Sequence, residues 1–265
     1  MKAATDLPAF VDLSIVVPAY NEEARITPTL QALVMFLRTS PWRFEIVVVD
    51  DGSTDTTCGV VARLALQYPM IRLVRAPRNQ GKGAAVRLGM LSARGHLRVM
   101  CDADGSMPAT ELPRLLAPLV ACKADIAIGS RYAAGARTDV AQPWYRIAWS
   151  RLCNRVIQRS LVPGINDTQC GFKAFTSEAA RDLFARGRID GWAFDLEILA
   201  LAQRRGFAIS EVGVHWTDDK RSKVNPVRDM VKVVREALVI KRNLRTGVYT
   251  PTVCAPALLR VTSPG

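Results

Sequence analysis

VVVDDGSTDTT, residues 47–57, decides the fold together with two stretches that repeat its logic, VVPAYNEE at 16–23 and DADGS at 102–106. In each, an apolar β-rich run ends abruptly on polar or acidic residues. Phe44–Val49 runs into Asp50 and Asp51, where Gly52 turns the chain and Ser53 or Thr54 can cap a following helix. Ser14–Val17 is closed by Pro18, and Leu97–Cys101 leads into Asp102 and Asp104. Ile71–Val74 and Ile126–Ile128 are two further runs of this kind. Between the runs, Glu22–Arg38, Asp55–Gln67, Gly83–Ala93 and Thr110–Ala121 carry apolar residues at helical spacing. Continuous apolar strands separated by helices predict an α/β fold, a Rossmann-like mostly parallel sheet with helices on both faces. Such sheets bind ligands beyond the carboxyl ends of their strands, where these polar clusters fall.

The pattern changes after Arg131. Gly135–Pro143 reads as a loop, Trp144–Leu161 as an amphipathic helix and Cys170–Phe175 as a strand. Ser177–Ala185 and Phe194–Arg205 read as helices, Ala208–Val214 as a strand. Pro226–Asn243 is a basic helix announced by Asn225-Pro226. The expected organisation is one domain over 12–225 with an amphipathic insert at about 140–165, a terminal helix over 226–246, and a flexible tail over 247–265.

Composition narrows the function. The 265 residues are 49% hydrophobic and 23% charged, which supports a large core and excludes a disordered chain. The net charge of +12 points to a polyanionic partner: nucleic acid, anionic lipid or a phosphorylated substrate. That charge is local. Residues 140–165 hold four Arg and no acid, and residues 220–245 hold nine basic residues against Asp229 and Glu236. The six Cys are scattered without a CxxC pair, so neither a disulfide framework nor a zinc site is expected. No apolar run reaches the ~18–20 residues of a membrane-spanning helix, and the first residues lack the layout of a secretory signal. The expectation is a soluble or peripheral protein of a reducing cytosol.

Two carboxylates at i and i+2 after a buried strand can share a divalent cation, since Mg²⁺ and Mn²⁺ prefer oxygen ligands. The plainer reading of DADGS is a solvated turn. Adjacent Asp50 and Asp51 at a strand end are harder to explain structurally, because clustered like charges cost stability unless something pairs them. A carboxylate there could accept a nucleobase N–H or ribose hydroxyls. In VVPAYNEE, Tyr20 offers a flat face, Glu22 sits in the first helical turn, and Asn21 reads as its N-cap.

VVPAYNEE, VVVDDGSTDTT, NQGKGAAVRLGM (79–90), DADGS and GSRY (129–132), in this order, resemble a family 2 glycosyltransferase of the GT-A fold. DTQCGFKAF (167–175), WAFDLEIL (192–199) and EVGVHWTDDKRSKV (211–224) resemble the dolichyl- and polyprenyl-phosphate glycosyltransferases, most closely the dolichyl-phosphate glucosyltransferase type. The resemblance implies that Pro18, Ala19, Tyr20, Glu22 and Asp51 hold the base and ribose of a nucleotide sugar, with Gly81 and Lys82 closing over it. Asp102, Ala103 and Asp104 would bind the nucleotide, the two Asp holding Mg²⁺ or Mn²⁺. Ser106 stands where mannosyl relatives commonly have a third metal ligand. Arg131, Lys173, Arg221 and Lys223 would face the donor diphosphate and acceptor phosphate. Asp104, Arg131, Gln169, Lys173 and Asp195 are the catalytic candidates, and Asp167 is a further sugar or acceptor contact. For Asp195 a helix N-cap is the structural alternative. Gly171 stands where some bacterial relatives carry an Asp proposed as catalytic.

The implied reaction is inverting transfer of a hexose, UDP-glucose being the first-choice donor, to polyprenyl phosphate. GDP-mannose or a UDP-N-acetylhexosamine are alternative donors, and a soluble hydroxyl acceptor is the alternative acceptor. The expected location is peripheral, on the cytoplasmic side of a membrane. Arg151, Arg155 and Arg159, and the terminal helix with Arg228, Lys232 and Arg235 backed by Val231, Val234 and Leu238, would meet an anionic membrane surface. Ordinary surface helices are the alternative. A membrane-protein partner or a homo-oligomer is also compatible. Nucleic acid is not expected as a partner, because the aromatic-plus-basic sheet signature of single-strand binders is missing.

Overall fold

The computed structural model describes residues 10–138, 161–216 and 226–250, with the side chains of 137–138 and 226–231 excepted. Residues 144–160 of the expected helix, residues 251–265 of the expected tail and the candidates Arg221 and Lys223 therefore lie outside the described residues.

Nine strands and seven helices are described: β1 Leu13–Ala19, α1 Ile26–Arg38, β2 Phe44–Asp50, α2 Thr57–Gln67, β3 Ile71–Arg75, α3 Lys82–Ser92, β4 Leu97–Cys101, α4 Leu112–Val120, β5 Ile126–Ser130, β6 Arg137–Thr138, β7 Phe172–Thr176, α5 Ser177–Arg186, α6 Phe194–Arg204, β8 Ile209–Gly213, β9 His215–Trp216 and α7 Pro226–Thr246. Seven strands form one sheet in the order β3-β2-β1-β4-β7-β5-β8, while β6 and β9 make a separate two-residue pair. β7 runs antiparallel to both its neighbours, β4 and β5, and all other pairings are parallel.

The alternation of side chains along each strand explains the unbroken apolar runs. Val16, Val47 and Val49 face one layer with Val86 and Met90 of α3, Leu183 and Phe184 of α5 and Leu199 of α6. Ile15, Val17, Ile46 and Val48 face the other, with Leu30, Leu33 and Val34 of α1 and Leu115 of α4. Burying each such side chain contributes about 1.5–3 kcal/mol, so both helical layers hold the central strands firmly.

Three boundaries differ from expectation. α1 begins at Ile26, and Asn21 adopts a positive φ of 55° in the loop before it. Its backbone N–H donates to Ser53 Oγ and its Oδ1 accepts from the Thr54 N–H, so Asn21 ties the β1 and β2 loops together instead of capping a helix. Ser53 and Thr54 are likewise used across that gap, and α2 starts only at Thr57. The terminal helix is built into the body of the protein: Val233 and Ile240 are buried in the same core as β1 and α6. Val234 and Leu238, expected to back it, are 45% and 64% exposed. Beyond it the chain stays docked as far as Tyr249, which is buried and donates to Glu197 Oε1 at 2.6 Å.

Candidate active site

The carboxyl ends of β1, β2 and β4 meet in a cleft of about 430 Å³ lined by Pro18–Glu22, Arg25, Asp51, Asn79, Gly81, Lys82, Ala85, Asp102–Asp104 and Trp192. Ten of the expected residues, Pro18, Ala19, Tyr20, Glu22, Asp51, Gly81, Lys82, Asp102, Ala103 and Asp104, thus share one surface. Parallel pairing causes this. β1 and β2 run in register with Ala19 opposite Asp50, so the polar residues that follow emerge side by side.

Asp51 is nearly buried, and its two oxygens accept the backbone N–H groups of Gln80 and Gly81 at 2.9 and 2.8 Å. Burial raises its pKa, and the two amides only partly oppose that. Gly81 holds a φ of 109°, a conformation that suits glycine, and leads directly into α3. Tyr20 lines the same cleft and stays exposed. Glu22 is less free than expected: the Arg25 guanidinium grips its carboxylate at 2.6 and 2.7 Å.

Asp102 meets the Lys82 ammonium, Nζ to Oδ1 2.7 Å. Burial works to lower the Lys82 pKa, but Asp102, with Asp195 and Asp104 behind it, outweighs it and raises it. Asp104 Oδ1 accepts the backbone N–H of Ser106 at 3.0 Å. Ser106 itself is buried, and it is not among the residues that line the cleft. Among the described residues no group of three or more His, Cys, Asp or Glu could hold a metal by itself. The two carboxylates nevertheless suit Mg²⁺ or Mn²⁺: both are hard oxygen donors open to the cleft, and Asp102 already carries a cationic partner. Mg²⁺ in particular completes its shell with water and substrate phosphates.

The cations expected at the phosphates are placed differently. Arg131 forms a bidentate pair with fully buried Asp167, Nε to Oδ2 2.8 Å and Nη2 to Oδ1 2.9 Å, and lies 5.4 Å from the Trp216 ring. Asp167 is presented by Glu211 of β8, whose carboxylate accepts the backbone N–H groups of Asn166 and Asp167. Lys173 is buried on β7 and donates to Asp195 Oδ1 and to the Cys170 carbonyl, each at 2.6 Å. It therefore faces no open phosphate site in this conformation. Asp195 lies in the first turn of α6, whose N-cap is Ala193, so it is no cap; burial raises its pKa against the pull of Lys173 and Lys82. Gln169 is half-buried in the loop that carries Asp167.

Residues 14–184 match glycosyl transferase family 2. The chain belongs to this family. It is a glycosyltransferase, with the dolichyl-phosphate type of resemblance that its later motifs imply. It is 39% identical over 253 residues to a dolichyl-phosphate beta-glucosyltransferase of Trichomonas vaginalis, covering 92% of this chain and 74% of that one. To the human dolichyl-phosphate beta-glucosyltransferase it is 34% identical over 250 residues, covering 89% and 77%. The fold is shared with mannosyl-3-phosphoglycerate synthase from Rubrobacter xylanophilus, TM-score 0.67 at 18% identity, covering 96% and 78%. It is also shared with glucosyl-3-phosphoglycerate synthase from Mycobacterium tuberculosis, solved with Mn²⁺, UDP and glucosyl-3-phosphoglycerate, TM-score 0.65 at 20% identity, covering 87% and 80%. The cleft of the glycosyltransferase includes four residues that sequence reasoning gave no role, Arg25, Asn79, Ala85 and Trp192. Trp192 opens the WAFDLEIL motif, where an exposed Trp before a buried helix is the signal available.

Proposed function

We propose that this glycosyltransferase moves glucose from UDP-glucose to dolichyl phosphate or a related polyprenyl phosphate, with inversion at the anomeric carbon. The observation that carries the reading is the convergence of Asp51, Asp102, Asp104 and Tyr20 on one cleft. The acceptor follows from relatives named dolichyl-phosphate beta-glucosyltransferases, alike over about nine-tenths of this chain.

In this reading Asp51, with Pro18, Ala19, Tyr20 and Glu22, receives the base and ribose. Asp102 and Asp104 would hold Mg²⁺ or Mn²⁺, which when bound neutralises diphosphate charge. A lipid phosphate monoester has a second pKa near 6, by analogy with phosphoserine, so it is largely a dianion at neutral pH and needs little help from a base. Its oxygen attacks C1 of the sugar, the C1–O bond to the β-phosphate breaks, and UDP leaves with the electron pair. The Lys82 ammonium, in the cleft beside Asp102, is placed to meet that growing charge. Arg131 and Lys173 serve by holding Asp167 and Asp195. Arg221 and Lys223 remain proposed contacts of the acceptor phosphate.

The acceptor is water-insoluble, so the cleft must work at a membrane. Among the described residues no helix is long and apolar enough to cross one. The outward side of α7 combines exposed Leu238 and Val239 with exposed Arg235 and Arg242, a composition suited to an anionic headgroup layer. We assign that side to peripheral contact with the cytoplasmic face.

The test is transfer of label from UDP-glucose, GDP-mannose and UDP-N-acetylglucosamine in vesicles containing dolichyl phosphate. Mild-acid-labile label in the lipid fraction, with UDP-glucose preferred, is the expected result. Label confined to water-soluble product overturns the acceptor, and preference for another donor overturns the sugar.

A further inference from the structure

α7 carries one described carboxylate that points inward. Glu236 stands in a segment where basic residues prevail, yet it pairs with backbone: its Oε2 accepts the Ala193 N–H at 2.8 Å. A methyl group on Gly191 would overlap Glu236 Oε1, so the 191–193 bend lies directly on this carboxylate. Trp192, between those two residues, lines the cleft, and the Lys82 ammonium lies 5.1 Å from its ring centroid. The preceding residues of the same bend are tied to α3, the helix that begins with Lys82. Asp190 accepts the backbone N–H groups of Gly83 and Ala84 through its carbonyl, at 2.7 and 3.2 Å, and pairs with Arg87 through its carboxylate. Glu197 accepts the Arg188 and Ile189 N–H groups at 2.9 Å each.

We infer that Glu236 is a positioning residue for the donor site: through the Ala193 amide it fixes the bend that sets Trp192 beside Lys82. An ordinary surface helix needs no such acceptor. The charged acceptor on a buried-side amide holds the bend more strongly than a neutral contact would. The same helix exposes Arg235 and Leu238 outward, so α7 joins the surface proposed to meet lipid to the wall of the nucleotide cleft. This inference rests on the cleft being the donor site.

The probe is UDP with Mn²⁺, measured by calorimetry, alongside steady-state transfer. Wild-type protein that fails to bind UDP refutes the donor-site reading itself. Given wild-type binding, Glu236→Ala should weaken UDP about tenfold, the loss expected for one charge-assisted hydrogen bond, and should raise the donor KM more than it lowers kcat. Glu236→Gln, which keeps an acceptor oxygen, should recover most of the loss. Trp192→Ala should give a similar rise in KM, and the double variant should be no worse than the worse single one. Gly191→Ala, which displaces the carboxylate, replaces Glu236→Ala if that variant does not fold. Unchanged UDP affinity in a variant that melts at lower temperature, or additive losses in the double variant, overturns the inference.

Discussion

The Lys82 ammonium lies 2.7 Å from Asp102 Oδ1 and shares the cleft with Asp104, so a side-chain cation occupies the carboxylate that the family resemblance assigns to a metal. A cation arriving at Asp102 must compete with this ion pair. Lys82→Met should therefore bind Mn²⁺ more tightly than wild type in the absence of nucleotide. Transfer should nonetheless fall by about 10²-fold, the scale of losing one preorganised charge at a leaving group. Calorimetric Mn²⁺ titration and kcat measured with saturating Mn²⁺ check the two halves separately. Weaker Mn²⁺ binding in the variant would show that Lys82 supports the cation.

Among the described residues Asp104 forms no ion pair like that of Asp102 with Lys82, and its Oδ1 accepts the nearby Ser106 amide. Its loss should leave the fold nearly untouched, since it is only half-buried and lines the cleft. Asp104→Ala is expected to abolish transfer while its urea midpoint stays close to wild type. Near-normal activity would remove Asp104 from the metal site.

The chain announced the cleft in its strand ends and concealed what surrounds it. Asp51, Asp102 and Asp104 were legible because an acid closing an apolar strand has few structural uses, and parallel register then brings such ends together. The partners of Arg131 and Lys173 were not legible, because a basic residue in a recognised motif does not disclose what it pairs with. Their partners, Asp167 and Asp195, lie 36 and 22 residues away and meet them only through tertiary packing. The face of α7 was similarly hidden: Val233 and Val234 are adjacent, and only contact with α6 decides which one is buried. Trp192 had a motif but no periodicity to mark it as a wall of the site.

Asp167 has no exposed side-chain surface, and Arg131 meets it with two side-chain hydrogen bonds as well as its own backbone N–H. Removing the guanidinium strands a buried carboxylate, whereas Asp167→Asn leaves a cation that can still reach water. Breaking a buried pair costs about 3–5 kcal/mol, and the partly exposed Arg reduces this to about 2–3 kcal/mol for Asp167→Asn. Arg131→Lys should also destabilise, because an ammonium cannot reproduce the two-pronged contact. Chemical denaturation tests the order, with Arg131→Ala the most destabilised of the three. Wild-type midpoints for all three would mean that the pair contributes nothing to the 167–170 loop.

Glu197 gives a pH dependence with a defined sign. It is buried, and burial raises its pKa above 4.5 even though the Tyr249 hydroxyl and the Ile189 and Arg188 amides all donate to it. The folded state therefore holds this proton more tightly than the unfolded state. Its contribution to stability is fully present below pH 4.5 and is lost as pH rises through the folded pKa. Glu197→Gln cannot ionise and should lack that decline, so the gap between variant and wild type should shift in the variant's favour from pH 4 to 7. Urea midpoints across that range are the measurement. Parallel curves would show that the carboxyl titrates as in the unfolded chain.

Gly171 precedes β7 and lies against the carboxylate of Asp102, so closely that a methyl group there would overlap Oδ2. The space that a side chain at 171 would need is here taken up by the carboxylate of Asp102. A base at 171 and the observed placement of Asp102 exclude one another. That agrees with the proposed phosphate dianion acceptor, which needs little help from a base. Gly171→Ala should push Asp102 off Lys82 while leaving β7 paired with β4 and β5. The expected result is a folded enzyme with at least tenfold weaker binding of Mn²⁺ and UDP together, and Gly171→Asp should be no more active. If Gly171→Ala binds both normally, Asp102 reaches the donor from a different orientation and the Lys82 pair is incidental to the site.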